Sequence, residues 1–307
     1  MACSKPLSGY RCSNNGWSGK PQTDYDKITQ ITNMQIPCGQ CYSCRMQRSG
    51  IWTTRLVHEN TMHKQSCFIT LTYSPENMPL DYSLDLSHFQ QFLKRLRERI
   101  AYYQKKYNLP SKLIKFYHCG EYGSENKRPH YHALIFGFDF NDKTLHSQTR
   151  GIPLYRSPLL EDLWDFGFST TGEVTPQSAG YCARYIMKKQ LGRNAEAYYT
   201  TYSDLHGRDI QLKPEYTSMS NGIGKQWYEK YKSEVFPADN VLVNGKLAVV
   251  PPYYSKIFQR EDPEGYEKMK TARLEKMELL APDNTPKRLK VKEQCLKART
   301  KSLIRSL

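Results

Sequence analysis

PHYHALIFGFDF, residues 129–140, joins a histidine pair to a run of β-forming apolar residues. Successive side chains of a strand point to opposite faces, so His130 and His132 project to one side and Tyr131 to the other. Ala133 to Phe136 mark this as a core strand, with two imidazoles at its start spaced to hold one metal ion at the sheet's edge. Just upstream, LIKFYHCGEYG (113–123) has the same β character, and the polar SENKR (124–128) between the two is the pattern of a hairpin. Glu121 then falls close to His130 and completes a His, His, carboxylate set. Such donors suit Mg, Mn or Zn, with an open position for a phosphate oxygen. The blander reading of Glu121 is a partner for Lys127 or Arg128.

Working outward, CFITLTY (67–73) is a buried strand stopped by the turn residues SPENMP. DLSHFQQFLKRLRERIAYYQKKY (85–107) places Phe89, Phe92, Leu93, Leu96 and Ile100 at helical spacing, with Ser87 as the expected N-cap. YSCRMQRSGIWTTRLVHENTM (42–62) reads as a helix leading into the sheet. LLEDLWDFG (159–167) reads as a short helix ending near Gly167, FSTTGEVT (168–175) as a strand, and PQSAGYCARYIMKKQLG (176–192) as a helix stopped at Gly192. The core order β, α, β, β, α, β, α predicts an α+β fold. Its expected divisions are a cysteine-containing segment and helix over 1–62, a core over 63–195 and an extension over 196–307. In that extension VLVNGKLAVV (241–250) has the Asn-Gly of a tight hairpin, and the lysine-rich tail from Asp262 is either helical or a mobile basic arm.

The 307 residues carry 45 Lys and Arg against 30 Asp and Glu, a formal charge of +15 that favours a polyanionic partner, nucleic acid before membrane. No stretch approaches the roughly 18 apolar residues of a membrane span. The opening MACSKPLSGYRCSNNGW lacks the apolar core of a signal peptide, so a cytoplasmic protein is expected.

A second constellation lies on the predicted helix GYCARYIMKK (180–189). At 100° per residue Tyr185 sits about 40° from Tyr181 and Lys188 about 20° to the other side, so the three share one face. A phenol is a poor nucleophile at neutral pH, and an adjacent ammonium and a metal-bound phosphate both favour the phenolate. With 23 tyrosines in the chain, such a face also arises without function. Taken with the metal set, it describes one reaction: tyrosine attacks a DNA phosphorus in line, a 5′-phosphotyrosine forms and a free 3′ hydroxyl leaves. The ester retains the energy needed to rejoin the strand, and two tyrosines can alternate.

FITLTY, PHYHALIF and YCARYIMKK, in that order, resemble the three motifs of HUH endonucleases that initiate rolling-circle replication. The Tyr-x-x-x-Tyr pair and the segment CGQCYSCR (38–45) resemble most the replication initiators of small single-stranded DNA phages of the gokushovirus branch of microviruses, over about residues 38–225. The resemblance implies a Rep-like, RRM-like core with a central antiparallel sheet flanked by helices and irregular extensions at both ends. It implies His130, His132 and Glu121 as ligands of a catalytic Mg or Mn, Tyr181 and Tyr185 as nucleophiles and Lys188 as the assisting lysine. Its expected partners are single-stranded or supercoiled phage origin DNA, with host helicase and polymerase, in the host bacterial cytoplasm. Tyr131 replaces the bulky hydrophobic residue of the family's histidine motif, on the face turned from the metal. GIGKQW (222–227) lacks the full spacing of a phosphate loop.

Nine cysteines without an export signal are expected as thiols or metal ligands. Cys38, Cys41 and Cys44 have the spacing of metal thiolates, and Cys3 or Cys12 is the candidate fourth ligand of a structural zinc. The alternative is a set of free thiols. Two other functional readings stand beside the nuclease: a zinc hydrolase of a small substrate, which leaves the tyrosine helix unexplained, and a non-catalytic binder of nucleic acid.

Overall fold

The computed structural model describes residues 3–11, 17–18, 33–111, 113–123, 127–149, 151–185, 189–190, 192, 195–203, 207–236 and 238–301. They fall into two compact units, one of residues 1–48 with 258–306 and the other of residues 49–257. The first unit opens with β1 (Leu7–Arg11), paired antiparallel with both β2 (Trp17–Ser18) and β3 (Asn33–Ile36). Helix α1 follows, Tyr42–Thr61.

The second unit continues through β4 (Ser66–Tyr73), α2 (Leu86–Lys106), β5 (Lys115–Tyr122), β6 (Pro129–Phe136), β7 (Thr144–Thr149), β8 (Ile152–Arg156), α3 (Pro158–Leu163), β9 (Gly167–Glu173) and α4 (Pro176–Arg184). After it come α5 (Ala195–Tyr199), β10 (Thr200–Ser203), β11 (Arg208–Gln211), β12 (Tyr216–Met219), α6 (Lys225–Val235), β13 (Val241–Val243), β14 (Lys246–Ala248) and α7 (Pro252–Glu261). Seven strands form one antiparallel sheet in the order β12-β5-β6-β4-β9-β8-β7. This is the α+β architecture, with a central antiparallel sheet flanked by helices, that the motif order predicts.

Alternation along the strands builds two apolar layers. Ile69, Leu71 and Tyr73 of β4 and Tyr131, Ala133 and Ile135 of β6 pack under Phe89, Phe92, Leu93 and Leu96 of α2 and Leu160 and Leu163 of α3. Phe68, Tyr117, Cys119, Leu134 and Phe136 occupy the other face, with Leu56 of α1 and Ala179, Cys182 and Ala183 of α4. Each large apolar side chain buried this way contributes about 1.5–3 kcal/mol. A one-residue slip of β6 would exchange the faces and forfeit several such terms, so the register is held from both sides.

Several local expectations need correction. The N-cap of α2 is Asp85, whose Oδ1 accepts the Ser87 amide at 2.8 Å, and not Ser87 itself. Strand β6 lies inside the sheet between β5 and β4, so the histidine pair sits over a face and not at an edge. Helix α4 ends at Arg184 with Tyr185 as its C-cap, and Lys189 and Gln190 are not helical, so the helix stops before Gly192. The outer strands β7, β8 and β12 escape detection because they are short and polar, with no buried apolar alternation. Asn244 and Gly245 do turn the β13–β14 hairpin, at φ of 49° and 70°. In the first unit the tail forms helices α8 (Pro263–Leu279) and α9 (Pro286–Thr300), the former without a buried residue. Among the described residues no helix is long and apolar enough to cross a membrane.

Gly167 is not a helix stop but the first residue of β9, opposite Tyr73. At φ of +152° its missing Cβ would lie 2.1 Å from the Ser74 nitrogen and 2.6 Å from the Thr72 carbonyl oxygen. Gly167→Ala is expected to cost at least about 2 kcal/mol in a urea titration, because backbone must move. Gly151→Ala, at φ of +79° with open space around it, is expected to cost only about 1 kcal/mol.

His58 of α1 stacks on Trp227 at 3.4 Å between ring centroids, with Nε2 donating to the Leu242 carbonyl and Nδ1 accepting from the Tyr254 hydroxyl. Burial pushes its pKa down from 6.5 to about 4, against the small opposing effect of the Leu242 carbonyl. A depressed folded-state pKa means the contribution is fully present above pH 6.5 and is lost as pH falls toward 4, by up to about 1.4 kcal/mol per unit. The urea midpoint of the wild type is expected to fall more between pH 6.5 and 4.5 than that of His58→Gln; equal slopes would refute the assignment.

Candidate functional site

Cross-strand register brings the three candidate ligands together. Glu121 of β5 lies directly opposite His130 of β6, and His132 lies opposite Thr70 of β4. The Glu121 Oε1 atom is 2.7 Å from His130 Nε2 and 3.1 Å from His132 Nε2. Glu121 is 1 % exposed and His132 5 %, while His130 is half-buried, leaving one open side.

The far nitrogens are anchored. His130 Nδ1 donates to the Arg128 carbonyl at 3.1 Å, and His132 Nδ1 shares a hydrogen bond with Thr70 Oγ1 at 3.0 Å. A carbonyl only accepts, so His130 Nδ1 carries a proton and the neutral ring turns its Nε2 lone pair toward the carboxylate. Two lone pairs do not approach this closely without positive charge between them, either a proton or a cation. Ligands about 2.1 Å from an octahedral ion lie about 3 Å apart, the spacing found here, so the donor set fits a divalent cation. Burial alone would raise the Glu121 pKa, but the hydrogen bonds and charge of the two imidazoles outweigh it and hold the group at about 2. The carboxylate is therefore ionised at neutral pH.

Helix α4 lays its tyrosines over this centre. A capping box at Thr175 and Ser178 starts the helix, and its small buried residues Ala179, Cys182 and Ala183 bring it down onto the sheet. The Tyr185 ring stacks on His132 at 5.3 Å, Tyr181 meets the same imidazole edge-on at 5.0 Å, and the two phenols are 4.7 Å apart. Phe68 stacks on His132 at 5.6 Å, which further fixes that ring. Burial first, and then the Glu121 charge, push both phenol pKa values well above the usual 10. Tyr181 is half-buried whereas Tyr185 is 4 % exposed.

Of the expected catalytic and ligand residues, Glu121, His130, His132, Tyr181 and Tyr185 meet here, while Lys188 lies outside the described residues. Three participants went unnoticed in the sequence. Thr70 orients His132, and its only signal is a polar residue inside the apolar strand FITLTY. Phe68 looked like plain core. Arg184, folded back so that a Cβ on Gly180 would lie 2.9 Å from its Nη1, interacts with the charge of both phenols. The segment GIGKQW is structural: the Gly224 amide donates to Glu59 Oε2 at 2.6 Å and the Ile223 carbonyl accepts from Arg55 at 2.9 Å. Away from this centre, Cys3, Cys38, Cys41 and Cys44 form a second group, and Cys12 lies outside the described residues.

A strand-borne metal set beneath a helix carrying two tyrosines is the arrangement expected from the three motifs. Residues 66–190, which contain all of it, match the family model of the replication-associated protein ORF2. The chain is 34% identical over 237 residues to the replication-associated protein VP4 of Bdellovibrio phage phiMH2K, covering 76% of this chain and 71% of that protein. It is 31% identical over 279 residues to the replication-associated protein ORF2 of Spiroplasma virus 4, covering 85% and 81%. Against the replication-associated protein ORF4 of Chlamydia phage 1 it is 27% identical over 241 residues, covering 77% and 56%. No solved structure matches. The chain belongs to the family of phage replication-associated proteins.

Glu121→Gln and His132→Ala are each expected to weaken Mn²⁺ binding by at least about 100-fold in a calorimetric titration. Thr70→Val, which leaves the three ligands but frees the His132 ring, is expected to weaken it by about 10-fold or more.

Proposed function

We propose that the protein initiates phage DNA replication by nicking one strand with a tyrosine nucleophile and later rejoining it. The observation that carries this reading is the contact of Tyr181 and Tyr185 with His132, an imidazole that also converges on Glu121 and His130. A small-molecule hydrolase needs the metal set but has no use for two phenols against it. A binding module needs neither.

The named residues divide the work. Glu121, His130 and His132 would hold Mg²⁺ or Mn²⁺, which when bound supplies positive charge to a phosphate oxygen and offsets the carboxylate's field on the phenols. A tyrosine Oη attacks phosphorus, losing its proton, while the P–O3′ bond breaks and the 3′ oxygen leaves to become a hydroxyl. The product is a 5′-phosphotyrosine. Attack by a 3′ hydroxyl on that ester reverses the step and frees the phenol, so joining needs no nucleotide cofactor. Arg184 beside the phenols, with Lys188, supplies charge that favours the phenolate. Tyr181 is the first nucleophile, since it is the more exposed of the two. Net charge of +15 draws the single strand to the surface.

Incubation with a random-sequence single-stranded oligonucleotide pool and Mn²⁺ is expected to give a covalent adduct that survives boiling in detergent, with phosphotyrosine at position 181 in the mass spectrum of the digested adduct. Tyr181→Phe with Tyr185→Phe is expected to reduce the adduct by at least about 1,000-fold, and Glu121→Gln by at least about 100-fold. An adduct that persists in the double variant would defeat the proposal.

A further inference from the structure

Four sulfurs gather in the first unit, far along the chain from the motifs of the nicking site. Those of Cys3, Cys38, Cys41 and Cys44 all lie within 4.8 Å of one another. Cys3 Sγ is 3.6 Å from Cys38 Sγ and 3.7 Å from Cys41 Sγ. A disulfide needs about 2.05 Å, so these pairs are not bonded. Four thiolates placed tetrahedrally about 2.3 Å from one zinc stand about 3.8 Å apart. An iron–sulfur cluster sets several iron atoms between its cysteines and spreads them wider. The observed spacing is that of a single ion.

Backbone amides surround the same sulfurs. Cys38 N–H points at Cys3 Sγ at 3.3 Å, Cys41 N–H at Cys38 Sγ at 3.2 Å, and Cys44 N–H at Cys41 Sγ at 3.4 Å. Amide donors stabilise negative sulfur and orient it, the role that surrounding hydrogen bonds play at thiolate metal sites. Gly39 makes the turn after Cys38 at φ of +72°, with open space around it. Cys41 and Cys44 are buried, whereas Cys295, elsewhere in the same unit, is exposed and apart from the group.

We infer that Cys3, Cys38, Cys41 and Cys44 form a mononuclear tetrahedral zinc site, separate from the nicking centre, that fastens the N-terminal strands to the start of α1. Three ligands come from the turn before α1 and its first residues, and the fourth from 35 residues upstream of Cys38, so the ion closes a loop containing β1, β2 and β3. Thiolate donors select a soft ion, while the carboxylate and imidazoles of the other centre suit a harder one, so the two sites take up different metals from one solution.

The test uses the full chain, purified reduced and dialysed against Mn²⁺ without chelator. Elemental analysis is expected to find one zinc per chain, released stoichiometrically by a mercurial in the presence of a colorimetric zinc indicator. Cys41→Ser and Cys44→Ser are expected to lower retained zinc at least tenfold, while Cys295→Ser and the double variant Glu121→Gln, His132→Ala retain it in full. Because the cysteine variants can fail to fold, the wild type is also exchanged into Co²⁺, where thiolate-to-cobalt absorption in the near ultraviolet and intense tetrahedral bands in the red are expected. A wild-type protein that contains no zinc and gives no such spectrum with Co²⁺, that contains iron instead, or that loses its zinc through the Glu121 and His132 changes overturns the inference. None of these readouts depends on nicking.

Discussion

The pairing of β6 on both of its edges is the constraint on which the site depends. β5 on one side sets Glu121 opposite His130, and β4 on the other sets Thr70 opposite His132. Neither partnership can shift alone, because Tyr131 and Ile135 on the reverse face are locked in the apolar layer under α2. Tyr131 is anchored further by its hydroxyl, which bonds Tyr73 at 2.7 Å and the backbone of Asp85 at 2.8–2.9 Å. A residue that looks like a departure within the histidine motif thus holds the strand from behind. Register, set by hydrocarbon and by one buried phenol, becomes ligand geometry.

Burial then turns proximity into electrostatic coupling. Glu121 is almost fully enclosed, and its charge survives there because two imidazoles answer it. The same negative charge reaches Tyr181 and Tyr185 and holds them as neutral phenols. Ligand charge and nucleophile protonation are therefore one linked system, and a cation that takes the imidazole lone pairs relieves the pressure on both tyrosines. In a centre built this way, the hydroxyls stay unreactive until metal and phosphate arrive together.

How much of this was legible in the sequence follows from where the signals live. The alternation of PHYHALIF and the apolar run CFITLTY announce central strands because both faces of such strands are buried and leave a dense pattern. Tyr181 and Tyr185 at a spacing of four declare a shared helical face, and their rings do lie 4.7 Å apart. The edge strands β7, β8 and β12 were illegible, since a polar strand with a half-exposed face looks like loop. Thr70 and Arg184 were illegible for another reason: each matters through a partner distant in sequence or through the way a side chain folds back. The end of α4 was overread, because Gly192 resembles a C-cap, whereas the helix stops at Arg184 with the second tyrosine as its cap.

That placement of Tyr185 separates the two phenols in kind. Tyr181 stands in the body of α4, supported by the turns on either side, and keeps some exposure; Tyr185 sits at the helix end, nearly closed off, flat on His132. Stacked there, it shields one side of a ligand imidazole whose other face is covered by Phe68. For Tyr185 to attack phosphorus its ring must leave that stack, and a residue at a helix terminus moves at lower cost than one held by hydrogen bonds on both sides. Alternating use of the phenols thus requires the closing phenol to become the attacking one, an exchange in which the first ester, on the more rigid position, holds a DNA end while the second ring is released.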